Sequence, residues 1–167
     1  MRILIVADSQ FGNTARIAHA IGRGIATAGD VQVVPAADAN IASLMAEPVD
    51  LLLVGGPTVS RGMTPALARV VDGVAPSARG LSVATFDTRF KGSELLMGSA
   101  ARKSADNLQR AGARLVAPKE SFYVVRMEAP RGQRQTPGLV KLADGEEARA
   151  EAWGRSLGQL AAHGAHA

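Results

Sequence analysis

The sequence predicts an α/β fold, a doubly wound three-layer sandwich around a five-stranded parallel sheet in the order 2-1-3-4-5. Three observations carry this expectation. Short apolar runs alternate with amphipathic stretches along the chain, as strands alternate with the crossover helices of a parallel sheet. Val49-Asp50-Leu51-Leu52-Leu53-Val54 is almost wholly apolar, the pattern of a strand covered on both faces. Finally, the first run, Ile3 to Ala7, ends in a short polar stretch, Asp8-Ser9-Gln10-Phe11-Gly12-Asn13-Thr14, that passes at once into a helical pattern.

After that first strand, residues 14 to 28 place Ile17, Ala18, Ile21 and Ile25 at helical spacing, and Gly29-Asp30 closes the helix. Val31 to Val34 reads as a second strand, residues 40 to 47 as a weak helix, and Val49 to Val54 as the third strand. Gly55-Gly56-Pro57-Thr58 breaks it, and Thr64-Pro65 opens a helix with proline at its first position, followed by Leu67, Val70 and Val71. Leu81 to Phe86 is strand four, residues 94 to 111 a fourth helix ended by Gly112, and Arg114 to Val116 a fifth strand that resumes at Ser121 to Val125. Residues 126 to 139 read as an inserted loop, with Arg126, Arg131, Arg134 and Lys141 set against Glu128 in and just after it. It is either a solvated excursion or a docking surface for an acidic partner, and the solvated reading ranks first. Residues 146 to 163 form the last helix, in which Trp153 reads as a packing anchor.

Composition bounds the function. With 167 residues, 47% hydrophobic and 20% charged, the chain is expected to be a single domain, 1–167, with one real core. No apolar run approaches the length of a membrane span, and the start of the chain leads straight into a strand, so the expected place is the cytoplasm. The absence of cysteine excludes disulfides, a thiolate nucleophile and Cys-ligated clusters. The three histidines, His19, His163 and His166, lack carboxylates at ligand spacing, so no metal is expected, and no serine sits in a Gly-x-Ser-x-Gly elbow. The net charge of +4 is scattered over helices and the aromatic fraction is 4%, which argues against nucleic acid as a partner.

The polar stretch after strand one is where chemistry is expected. A strand, tight loop and helix in succession aim the backbone N–H groups of the first helical turn at one point, where the helix dipole adds positive character. Phosphate suits such a place. Gly12 lets the backbone approach an anion, and Ser9, Asn13 and Thr14 bring donors. The same three residue types also suit plain helix capping, and the loop alone does not choose. Two other phosphate loops are excluded by spelling, since neither Gly-x-Gly-x-x-Gly at this turn nor Gly-Lys-Ser/Thr is present.

Ser9-Gln10-Phe11-Gly12-Asn13-Thr14, with Ala18 beyond, resembles the phosphate loop of the flavodoxin family, Thr/Ser-x-Thr-Gly-x-Thr. Phe11 stands where the family usually has a hydroxyl, which removes one donor. The resemblance implies FMN, with ring contacts from the loop after strand three and the loop after strand four. In the first of these, Pro57, Thr58, Val59 and Gly62 match the family's Gly-x-Pro-Thr loop; Thr58 is implied to bond the flavin and Gly62 to expose a backbone group beside it. In the second, Phe86, Asp87, Arg89, Phe90 and Gly92 correspond, but the family's stacking tyrosine is missing; Phe86 ends a buried strand and reads rather as core, which leaves Phe90 as the candidate face. Arg61, Arg89 and Lys91 fall in these loops, and cations there would ease the addition of electrons to a flavin. The chain also departs from the acidic balance usual in flavodoxins. No catalytic residue is assigned, because in the family the protein binds FMN and sets its potentials. The reading is an FMN-binding electron-transfer protein or small FMN-dependent oxidoreductase, serving a redox partner protein or a small-molecule donor or acceptor. The alternative is a flavin-free interaction or regulatory domain on the same fold.

Overall fold

Unbroken apolar residues from Ile3 to Ala7 make β1 (Arg2–Ala7) a strand that needs cover on both faces, and five of its six residues are buried. It pairs in parallel with β2 (Asp30–Pro35) on one side and β3 (Leu51–Pro57) on the other. β4 (Ser82–Phe90) continues beyond β3, followed by β5 (Arg114–Leu115) and β6 (Glu120–Arg126), which both run parallel to β4. These observations come from a computed structural model that describes residues 1–127 and 139–164, with side chains to 162 in the last helix. The expected inserted loop with Glu128, Arg131 and Arg134, and the side chains of His163 and His166, therefore lie outside the described residues.

Alternate residues of each strand feed alternate layers, the period-two consequence of a pleated sheet. Ile3, Ile5 and Phe86 face α1 (Asn13–Ile25) and α6 (Glu146–Gly164); Leu4, Val6 and Val83 face α3 (Pro65–Val74) and α5 (Ala100–Arg110). Helices thus cover both sides of the sheet. On the first side Phe86, Phe122 and Trp153 meet edge to face with ring centres 6.1 to 6.4 Å apart, so Trp153 is a packing anchor. Close helix contact is possible there because Gly24 and Gly154 lack side chains. A Cβ on Gly24 would lie 2.0 Å from the Glu151 carbonyl oxygen, and one on Gly154 would lie 2.3 Å from that of Ile21.

The doubly wound order 2-1-3-4-5 stands, with the fifth position shared by β5 and β6, but the sheet is larger than five strands. β7 (Val140–Leu142) adds antiparallel to β6 at the edge, just past the loop expected over 126 to 139, in a stretch to which the sequence assigns no element. Strand four runs on to Phe90 instead of stopping at Phe86, because β3 and β6 flank it and supply ladder partners that far. Likewise β3 includes the Gly-Gly-Pro expected to end it. The single helix expected over 94 to 111 is two, α4 (Glu94–Met97) and α5. Gly98, at φ +73°, turns the chain where a Cβ would sit 2.3 Å from the Arg61 carbonyl oxygen, and the Ser99 hydroxyl then caps α5 by accepting from Arg102 N–H at 3.0 Å. The weak helix after β2 is a single turn, α2 (Ile41–Leu44).

Candidate functional site

The carboxyl ends of β1, β3 and β4 lie side by side, and a cavity of about 360 Å³ opens there. Gln10, Phe11, Asn13 and Thr14 form its wall at the start of α1; Pro57, Thr58 and Val59 come from the end of β3 and the loop beyond. Thr88, Arg89 and Phe90 enter from β4. The far wall comes from Val124, Arg126 and Met127 on or just after β6 and from Leu139 and Val140 at β7. Ser9 and Gly12 face a separate hollow between α1 and β2.

Gly12 begins α1 in the left-handed region at φ +82°, and nothing lies within 4 Å of where its Cβ would be. This glycine is required by conformation, not by space. Among the described residues, no acceptor meets the backbone N–H groups of Gln10 to Thr14, while Ala15 N–H donates to the Ser9 hydroxyl at 3.1 Å. The side chains are otherwise engaged: the Asn13 amide donates to the Val140 carbonyl at 3.0 Å, and the Thr14 and Thr88 hydroxyls share a 2.7 Å hydrogen bond. Capping and cradle thus divide between side chain and backbone. Ser9 caps, whereas the five N–H groups from Gln10 to Thr14 have no acceptor among the described residues, and four of those residues, Gln10, Phe11, Asn13 and Thr14, line the cavity.

Several expected ring contacts are placed elsewhere. Phe86 is fully buried in the aromatic cluster and does not reach the cavity. Asp87 is also fully buried, pointing to the opposite layer, where its Oδ2 accepts from the hydroxyls of Thr58 at 2.9 Å and Ser99 at 2.6 Å and from Ala101 N–H at 3.1 Å. Its Oδ1 has no hydrogen-bond partner and lies 3.8 Å from Arg89 Nε. Thr58 lines the cavity, yet its hydroxyl is turned to Asp87 and to Ala100 N–H, so it is not aimed at a ligand. Gly62 bonds Val59 in both directions, N–H to carbonyl at 2.9 and 3.0 Å, around a two-residue turn with Ser60 and Arg61 at φ 47° and 65°. Both backbone groups of Gly62 are therefore engaged. Gly92 gives its carbonyl to the Arg89 guanidinium at 3.1 Å and packs on Met97.

Of the three cations expected around the cavity, only Arg89 lines it, and it is buried, donating from Nε to the Ser121 hydroxyl at 3.1 Å. Arg61 turns outward to the Leu95 carbonyl. Arg126, which the sequence read as part of a solvated loop, lines the cavity with its guanidinium 5.8 Å from the centre of the Phe90 ring. Thr88 belongs to the stretch after strand four that is expected at the site, whereas Val124, Met127, Leu139 and Val140 are additions of the structure, and the period-two run Val140-Lys141-Leu142 is their trace in the sequence. Phe11, read as a lost donor, is a 63% exposed ring at the cavity's edge.

No known protein family matches the chain by sequence, and no curated protein does. Solved structures do match it. A flavodoxin from the domain Archaea superposes with a TM-score of 0.75 at 22% identity, covering 98% of this chain and 100% of that one. Oxidised Flavodoxin 1 from Bacillus cereus gives 0.74 at 17% identity, over 95% and 98%. The flavodiiron protein from Giardia intestinalis gives 0.75 at 17% identity, but there the match spans 97% of this chain and 36% of the other.

Proposed function

From a chain that has the flavodoxin-like fold, we propose that it binds FMN in this cavity and acts in the cytoplasm, as one domain, as an electron-transfer protein or small FMN-dependent oxidoreductase. The observation that carries the reading is the set of free N–H groups from Gln10 to Thr14 at a helix start that Gly12 leaves open. These groups fit a terminal phosphate. Pro57, Val59, Phe90 and Met127 supply apolar walls that exclude water from a flat ring, and Arg89 and Arg126 give the cavity a positive field. FMN, when bound, supplies one- and two-electron transfer. The exchange partner is a redox protein or a small-molecule donor or acceptor.

Titration with FMN, riboflavin and FAD tests this. FMN is expected to bind tightest, and riboflavin binding equally well would dispose of the cradle. The Thr14 hydroxyl is already held by Thr88, so Thr14→Ala is expected to weaken FMN binding by no more than about 1 kcal/mol, the backbone N–H groups carrying the phosphate. The exposed Phe11 ring, where a donor is usual, favours the second reading of a flavin-free interaction domain. A purified protein that neither shows flavin absorbance nor binds added FMN selects that reading.

A further inference from the structure

Beside the cavity, the single turn α4 raises two adjacent leucines into solvent, Leu95 at 80% and Leu96 at 72% exposed. The turn is held firmly in place. Arg61 donates to the Leu95 carbonyl at 3.1 Å, Met97 packs where Gly92 has no side chain, and Lys119 bonds Glu94 at 2.6 Å. A fixed, exposed leucine pair is an unusual surface feature for which internal packing gives no reason.

The charges around it are one-sided. The acids nearby are already paired, Glu94 with Lys119 and Arg102, and Asp106 with Arg102. Arg61, Lys91 and Lys103 are exposed and, among the described residues, have no carboxylate within ion-pair distance. Arg61, Lys103 and Leu95 line one surface hollow, Lys103 lies against Gly62, and Lys91 is next in sequence to Phe90 of the cavity wall, so the cations flank the leucine turn on its cavity side.

We propose that α4 and the flanking cations Arg61, Lys91 and Lys103 form the docking surface for an acidic redox protein, with Leu95 and Leu96 as its apolar centre and electrostatic complementarity as its steering force. A second copy of the chain is disfavoured because a two-fold contact would set these cations against themselves. A lipid surface is disfavoured because one helical turn lacks the extended apolar face that interfacial helices use. The redox character of the partner rests on the FMN reading, whereas the docking surface does not.

The test uses the full chain, with and without FMN, and an acidic [2Fe–2S] ferredoxin as probe, with basic cytochrome c as control. Amide shifts on adding ferredoxin are expected at residues 59–62, 91–97 and 103, with affinity falling at least about tenfold between roughly 20 and 300 mM salt. Leu95→Ser with Leu96→Ser is expected to weaken binding about tenfold, and Arg61→Glu with Lys103→Glu more than that, while FMN affinity stays the same. Shifts confined to another face, equal binding of cytochrome c, no binding at low salt, or a leucine-dependent dimer or phosphatidylserine-vesicle complex in place of ferredoxin binding would each overturn the proposal. Ferredoxin docking at α4 on a chain that binds no FMN would retain this surface and remove the flavin reading.

Discussion

Thr58 shows how one hydroxyl joins the site to the fold. Its oxygen donates to Asp87 Oδ2 and accepts from Ala100 N–H, both at 2.9 Å, while its own N–H bonds the Thr88 carbonyl at 3.0 Å. One residue therefore ties β3, β4 and the start of α5 together. A fully buried carboxylate is tolerated only while such donors surround it. Thr58→Val keeps the shape and removes the hydroxyl, leaving Asp87 one donor short and Ala100 N–H without an acceptor. The expected loss in stability is about 2–4 kcal/mol by urea unfolding, with the slope unchanged. A loss below about 0.5 kcal/mol would mean that Ser99 and Ala101 suffice to hold the carboxylate. None of this is legible in the sequence. An aspartate next to Phe86 reads as the end of a strand, because burial of a charge depends on partners twelve to twenty-nine residues away.

At the scale of elements, the sequence is most informative where burial repeats at a fixed period. The helical spacing of Ile17, Ile21 and Ile25 and the apolar run of β3 place α1 and the sheet centre correctly, and of the loop after β1 Gln10, Phe11, Asn13 and Thr14 line the cavity. Features set by distant contacts stay hidden. β7 is three residues long and owes its place to pairing with β6, and Gly98 is needed because the Arg61 backbone passes close by. Gly24 and Gly154 belong to the same class: within their helices they look merely unfavourable, by about 1 kcal/mol each against alanine. Packed together they let α1 and α6 touch. Gly24→Ala or Gly154→Ala is accordingly expected to destabilise by about 2–4 kcal/mol despite better helix propensity, since the added carbon meets rigid backbone. A thermal melt showing either variant as stable as the parent would mean that the helices separate without cost. α6 has a second tie, because Arg149 bonds Glu146 and Glu120 and the Ser121 carbonyl. Burial pulls its guanidinium down, but Glu146 and Glu120 outweigh that and leave it above its ordinary value. A raised value keeps its contribution in full below the ordinary arginine range, so across about pH 5 to 9 the guanidinium's own titration leaves this tie unchanged.

For the whole molecule, the cavity draws its walls from the start of α1, from β3 and the loop after it, and from β4, β6 and β7, so filling it acts on the stability of the complete chain. A ligand that binds only the folded state at about one hundred times its dissociation constant adds about 2.7 kcal/mol, and in a chain of this size each kcal/mol moves the midpoint by about 2–4 °C. Saturating FMN is therefore expected to raise the melting temperature by about 5–10 °C. The same amount of riboflavin should give a smaller rise, because it leaves the N–H groups from Gln10 to Thr14 without a phosphate. The α1–α6 contact at Gly24 involves residues remote from the cavity lining, and distant changes add. Gly24→Ala should thus lower the FMN-bound and free melting temperatures by the same amount and leave the ligand's increment intact. Thr58→Val touches the cavity wall directly and should reduce that increment as well as the starting stability. If FMN raises both variants and the parent equally, Thr58 does not shape the cavity and its hydroxyl serves the fold alone.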